Sequence, residues 1–251
     1  MKRLFVAILV VAGLATAATG AAIAPPRSLA EKCVQTDGVE AQPFWLTASD
    51  GARLYAIEAG SGSTTVVLMH ESPADLCGWL PYAATLTQAG IRVLAFDFRN
   101  FGDSSRPPGR SATAYGRDVR AAVARAHADG AKRVFLAGAS FGGVAALTFG
   151  PSVAVAGVIS MSGETRLGAM NALAAVRRLR APLLILGSRQ DRYLTVAEAR
   201  SLVRRARTPD KRLALYPGGF HGWSIVEEAP YAARARALVL AWLRARGAQA
   251  P

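Results

Sequence analysis

From Thr65 to Tyr216 the chain repeats one alternation, a short unbroken apolar run followed by an amphipathic stretch, and few folds accommodate it. The runs are residues 65–70, 92–97, 134–139, 155–161, 183–186 and 213–216. A strand with one wet face would alternate polar and apolar residues. An unbroken run belongs instead to a strand covered on both faces, as in a parallel sheet. The stretches 78–89, 114–129, 141–150, 167–179, 196–206 and 231–246 supply the covering helices. Two further runs, 44–47 and 54–58, flank Ser49-Asp50-Gly51, a turn sequence that predicts an antiparallel hairpin. The expectation is an α/β fold: a doubly wound, mostly parallel eight-stranded sheet with helices on both faces.

In such a sheet, functional side chains gather in the loops at the carboxyl ends of the strands. The run 134–139 ends there in Gly138-Ala139-Ser140-Phe141-Gly142, a Gly-x-Ser-x-Gly turn leading straight into a helix. Such an elbow holds its serine in a strained backbone conformation with the hydroxyl exposed, and the two glycines prevent collisions across the turn. The helix that follows aims its first free N–H groups at any oxyanion formed beside Ser140. A serine hydroxyl is too weakly acidic to attack a carbonyl unaided, so a base must take its proton. The run 213–216 ends in Pro217-Gly218-Gly219-Phe220-His221, and the run 183–186 in Gly187-Ser188-Arg189-Gln190-Asp191. His221 is therefore the expected base. Asp191 is expected to fix its tautomer and stabilise the imidazolium.

With Ser140, Asp191 and His221 at three strand ends in that order, the chain resembles the α/β-hydrolase family over roughly residues 44–246. His70-Glu71-Ser72-Pro73 is similar to the family's His-Gly oxyanion loop, with Trp79 where an aromatic residue is common. The resemblance implies two oxyanion donors, the backbone N–H groups of Ser72 and Phe141. Asp97-Phe98-Arg99-Asn100-Phe101-Gly102-Asp103-Ser104 is similar to a second family loop, structural in most members. Two residues depart from the pattern, Asn100 and Glu71, each in place of glycine. Asn tolerates a left-handed backbone. Glu71 sets a carboxylate beside the oxyanion site, where it must point away or oppose developing negative charge. Glu71, Trp79 and Trp223 are candidates to line the pocket.

Other residues receive plainer readings. His70 is expected to support the oxyanion loop by hydrogen bonding, and His127 to lie exposed on an Arg- and Ala-rich helix. Glu164, one strand before Asp191, is the alternative acid for His221. The three histidines lack the spacing a metal site needs, and Gly138 to Gly143 lacks the dinucleotide spacing, so neither metal nor cofactor is expected.

A length of 251 residues with 51% hydrophobic side chains suits one domain, residues 44–251, behind a polar lead at 25–43. Residues 1–24 begin with Lys2 and Arg3 before an uncharged apolar stretch, which reads as an export signal. The protein is then periplasmic or secreted, and it meets a membrane only if that segment stays uncleaved as an anchor. Cys33 and Cys77 either form one disulfide or remain two separate thiols. The formal charge of +13 comes from arginines spread over Ala-rich helices. Without interleaved aromatic residues this reads as solvated helix faces, with no nucleic-acid partner. The expected activity is a serine hydrolase acting on a small-molecule ester through an acyl-enzyme. A peptidase or thioesterase using the same residues, and a catalytically silent binding protein, are the alternatives. Only about 20 residues separate Gly163 from Leu183, which leaves no room for a large lid.

Overall fold

The computed structural model describes residues 24–36, 38–107 and 111–247. The expected export signal at 1–24 therefore falls, but for Ala24, outside the described residues.

Unbroken apolar runs became central strands. A hairpin of β1 (Ala41–Thr47) and β2 (Arg53–Ala59) pairs Leu46 with Leu54 across the Asp50-Gly51 turn. Beyond it come β3 (Thr64–Met69), β4 (Arg92–Phe96), β5 (Arg133–Ala139), β6 (Gly157–Met161), β7 (Leu183–Ser188) and β8 (Lys211–Tyr216). They form one eight-stranded sheet in the order β1-β2-β4-β3-β5-β6-β7-β8. The β1–β2 and β2–β4 pairs are antiparallel and the remaining five are parallel, so the doubly wound expectation holds.

Strand pleating sends alternate side chains to opposite faces, and each face is buried under helices. Val134 and Leu136 of β5 join the layer under the helices Ala112–Ala128, Phe141–Phe149 and Val196–Arg205. Phe135 and Ala137 join the other layer, under Leu80–Gln88 and Ala232–Gly247. The helix Phe141–Phe149 is apolar nearly all round, with every side chain but Thr148 buried, because it lies against the sheet with other helices packed on it.

One helix departs from expectation. Instead of a continuous helix over 167–179, Leu167 and Met170 exchange two 3.0 Å backbone hydrogen bonds around a tight turn. Gly168 takes φ +54° there. Asn171 then caps a fresh single turn, Ala172–Ala175, and a 3-10 turn, Val176–Arg178, follows. The i, i+3 spacing of Leu167, Met170, Leu173 and Val176 suggests helix, but a glycine in the left-handed region starts the backbone over.

The lead is fastened to the sheet. A four-residue helix, Leu29–Lys32, is closed by a capping box between Ser28 and Glu31. Lys32 is buried with its Nζ 2.8 Å from Asp97 and 3.0 Å from Asp75. Cys33 is disulfide-bonded to Cys77, which settles the alternatives for the two cysteines. Among the described residues no helix is long and apolar enough to cross a membrane.

Candidate active site

Ser140 occupies the junction between β5 and the helix Phe141–Phe149 with φ +46° and ψ −112°, a conformation that costs a non-glycine residue of the order of 1–3 kcal/mol. Sequence explains why it persists. Ser140 N–H is tied to the Met161 carbonyl at 2.9 Å, and a Cβ added at Gly138 would stand 2.1 Å from the Gly142 carbonyl oxygen. Only glycine lets the strand and helix meet this closely. Ser140 is half-buried, and the helix N-terminus lies directly behind it.

Asp191, in the loop after β7, is buried. Its two oxygens each lie 3.0 Å from His221 Nδ1, and one accepts from the backbone N–H groups of Tyr193 (2.9 Å) and Leu194 (3.3 Å). Burial pulls its pKa upward. The hydrogen bond with His221, the Tyr193 N–H and the nearby imidazole together outweigh that. The net result holds the carboxyl below its ordinary range. His221 itself rests under the Tyr193 ring, whose centroid is 4.7 Å away. The chain neighbours of Ser140 and His221 nearly touch: a Cβ added at Gly222 would lie 3.6 Å from the Cβ of Ala139. Elbow and histidine turn are thus brought together.

Glu164, the alternative acid, is half-buried near His221, and burial raises its pKa. The hydrogen bond to the imidazole belongs to Asp191. His70 is fully buried, and its Nε2 accepts from the Phe98 N–H at 3.0 Å. Its Nδ1–H therefore donates to the Glu71 carbonyl oxygen at 2.8 Å, so His70 braces the loop before Ser72 as expected. Burial holds it neutral by lowering its pKa to about 4. Among the described residues, no group of three or more His, Cys, Asp or Glu side chains is gathered as a metal would require.

Ser72 and Phe141 line one cavity of about 250 Å³ whose walls are Phe101, Tyr115, Leu167 and Met170. The expected pocket residues lie elsewhere. Trp79 is wholly buried, packed against Tyr82 and Trp223, because its indole fills the core beneath the 3-10 turn Leu76–Trp79. Trp223 stacks over Gly78 and borders a separate open cavity of about 660 Å³ beside the disulfide. Glu71 is half-buried and faces the turn after His221, where its Oε2 accepts from the Trp223 N–H at 3.3 Å. It lines neither cavity. Sequence reasoning missed the wall formed by Phe101, Tyr115, Leu167 and Met170, since their convergence depends on loops distant in the chain. Asn100, by contrast, takes the left-handed φ of +68° that its place in the motif implied.

A model described as the alpha/beta hydrolase family matches residues 66–248. Among curated proteins, bifunctional epoxide hydrolase 2 of Rattus norvegicus is 42% identical over 64 residues, 26% of this chain and 11% of that protein. Epoxide hydrolase A of Mycobacterium tuberculosis is 41% identical over 63 residues, 25% of this chain and 20% of that one. The chain thus matches only a tenth to a fifth of the length of these relatives. Among solved structures, an esterase of Pyrococcus furiosus superposes with a TM-score of 0.75 at 19% identity, covering 90% of this chain and 100% of that one. A monoacylglycerol lipase of Paleococcus ferrophilus gives 0.67 at 17% identity, with 77% and 99% covered.

Proposed function

The chain belongs to the α/β-hydrolase family, and on that premise we propose that it is a serine hydrolase that cleaves carboxylic esters of small acyl groups. One observation carries the reading: a strained, half-buried Ser140 at a helix N-terminus, whose elbow meets the turn of a His221 with Nδ1 held by a buried Asp191. His221 Nε2, at the other side of the ring, takes the Ser140 proton as Oγ bonds to the ester carbonyl carbon. The oxygen that becomes negative is met by the backbone N–H groups of Phe141 and Ser72, with the positive end of the helix dipole behind Phe141. Collapse breaks the bond to the alcohol oxygen, which leaves with the proton from His221. Water then repeats the sequence on the acyl-enzyme: His221 takes its proton, the carboxylic acid departs, and Ser140 Oγ is reprotonated.

The serine also bears on the short match to epoxide hydrolases. An alkoxide that opened an epoxide would be left as an ether, which a histidine-activated water does not cleave, whereas attack on a carbonyl leaves a hydrolysable ester. The apolar cavity next to Ser72 and Phe141 supports an acyl group as the part recognised. The Cys33–Cys77 disulfide supports an exported, periplasmic or secreted protein. The test is covalent labelling with a fluorophosphonate between pH 6 and 9. Label on Ser140, lost in Ser140→Ala and in His221→Ala, is the expected result. No label anywhere in that range, with no ester turned over, would leave a silent fold that only binds.

A further inference from the structure

The Glu71 carboxylate connects the two loops that the proposed chemistry must keep in register. Its own backbone belongs to the oxyanion loop: the Glu71 carbonyl oxygen accepts from His70, and the next residue is Ser72. Its side chain crosses to the histidine turn, where Oε2 accepts from the Trp223 N–H at 3.3 Å over a sequence separation of 152. The carboxylate lies so close over Gly222 that a Cβ there would stand 1.7 Å from Oε2. A glycine at φ +58° is what leaves room for it. Glu71 therefore points away from the cavity that Ser72 and Phe141 border, and toward the residue next to His221.

We propose that Glu71 is a positioning residue for His221: it ties the oxyanion loop to the histidine turn and, when ionised, sets a negative charge near the imidazole. The proposal rests on the reading of Ser140 and His221 as nucleophile and base. In the free enzyme His221 must be neutral to accept a proton, and in the transition state it is an imidazolium. A carboxylate held near it, not on it, favours the second state over the first. The groups facing this turn are Asp191 after β7, Glu164 after β6 and Glu71 after β3, with Glu228 close to Glu71. Among the described residues no arginine or lysine forms an ion pair with Glu71, and His221 is close enough to act on its carboxyl electrostatically. Burial raises the Glu71 pKa above the usual carboxylate range, and the Trp223 N–H and His221 only partly oppose it.

The test compares wild type with Glu71→Gln and Glu71→Ala, each checked for folding by circular dichroism and thermal midpoint. Glutamine keeps the acceptor for Trp223 and removes only the charge. The ratio of wild-type to Glu71→Gln kcat/KM on a short-chain p-nitrophenyl ester should climb from near one in acid to about fivefold at pH 8. Glu71→Ala loses the acceptor as well, so its kcat should already be about tenfold down in acid and fall further as pH rises, with KM little changed. A purely structural role would lower the thermal midpoint and leave the ratio flat. A flat ratio, or an alanine variant as fast as wild type, overturns the proposal. Failure of the underlying reading shows differently: wild type itself would neither take a fluorophosphonate on Ser140 nor hydrolyse the ester, and the proposal would fall with it.

Discussion

Asp191 illustrates how much one side chain settles. Its oxygens at 3.0 Å from His221 Nδ1 require a proton on that nitrogen, which leaves Nε2 as the acceptor of the ring. On the proposed mechanism, the amide of Asp191→Asn would present N–H groups or compete for the same tautomer, so kcat is expected to fall by roughly 10⁴. Fluorophosphonate labelling of Ser140 should slow in parallel while the thermal midpoint barely moves. A loss under tenfold would return Glu164 to consideration as the acid. The strand-end placement of Ser140, Asp191 and His221 was legible in the sequence because each lies within a few residues of a strand end, and turn chemistry is local. Glu71 was legible only as an anomaly. Its direction depends on the Trp223 N–H and on the space over Gly222, both far away in the chain. Trp79 looked like a pocket residue for the same reason, since nothing near it in sequence announces Tyr82 and Trp223 packing over it.

At the level of elements, all eight strands were readable, because a strand buried on both faces writes itself as an unbroken apolar run. The four-residue helices Leu29–Lys32 and Ser224–Glu227 were not, being too short for any period to show. The first of them matters more than its length suggests. Its buried Lys32 side chain pairs with Asp97, whose oxygens also accept from the N–H groups of Leu76 and Asp103. Asp97 therefore joins the lead, the loop after β3 and the loop after β4. The expected lead at 25–43 is in this sense part of the folded unit, and the disulfide from Cys33 to Cys77 fastens it beside Lys32. In Lys32→Met the aliphatic stem is replaced and the cation is lost, leaving Asp97 buried without its partner. That should cost about 3–5 kcal/mol, read as a lower urea midpoint at unchanged slope. If the cost were under 1 kcal/mol, the ion pair would be a bystander and the disulfide alone would hold the lead.

The molecule as a whole couples its stability to pH through a residue close to its chemistry. His70 is held neutral in the fold with a pKa of about 4, against about 6.5 when exposed. Between those values the unfolded chain binds a proton that the folded chain refuses. Stability is therefore undiminished above pH 6.5 and declines as pH falls, by about 3 kcal/mol at pH 4. His70→Gln should flatten that part of the urea-measured profile at the expense of the bond to Phe98. Substrate choice is likewise a property of several distant parts meeting. Loops after β3 and β4, the helices Ala112–Ala128 and Phe141–Phe149, and the Leu167–Met170 turn enclose one apolar cavity of about 250 Å³. That lies below the ~300–1,000 Å³ of sites for drug-sized ligands, so a short acyl chain of about four to six carbons is the expected fit. Each methylene buried contributes about 0.8 kcal/mol, close to fourfold in kcat/KM, until the Leu167 wall is reached. Across p-nitrophenyl esters of graded length, activity should rise to that optimum and then drop. Leu167 is only partly buried, so Leu167→Ala can open the wall without emptying the core, and the optimum should move to longer chains. An optimum unmoved by Leu167→Ala would mean that the acyl group binds outside this cavity and that the alcohol portion occupies it instead.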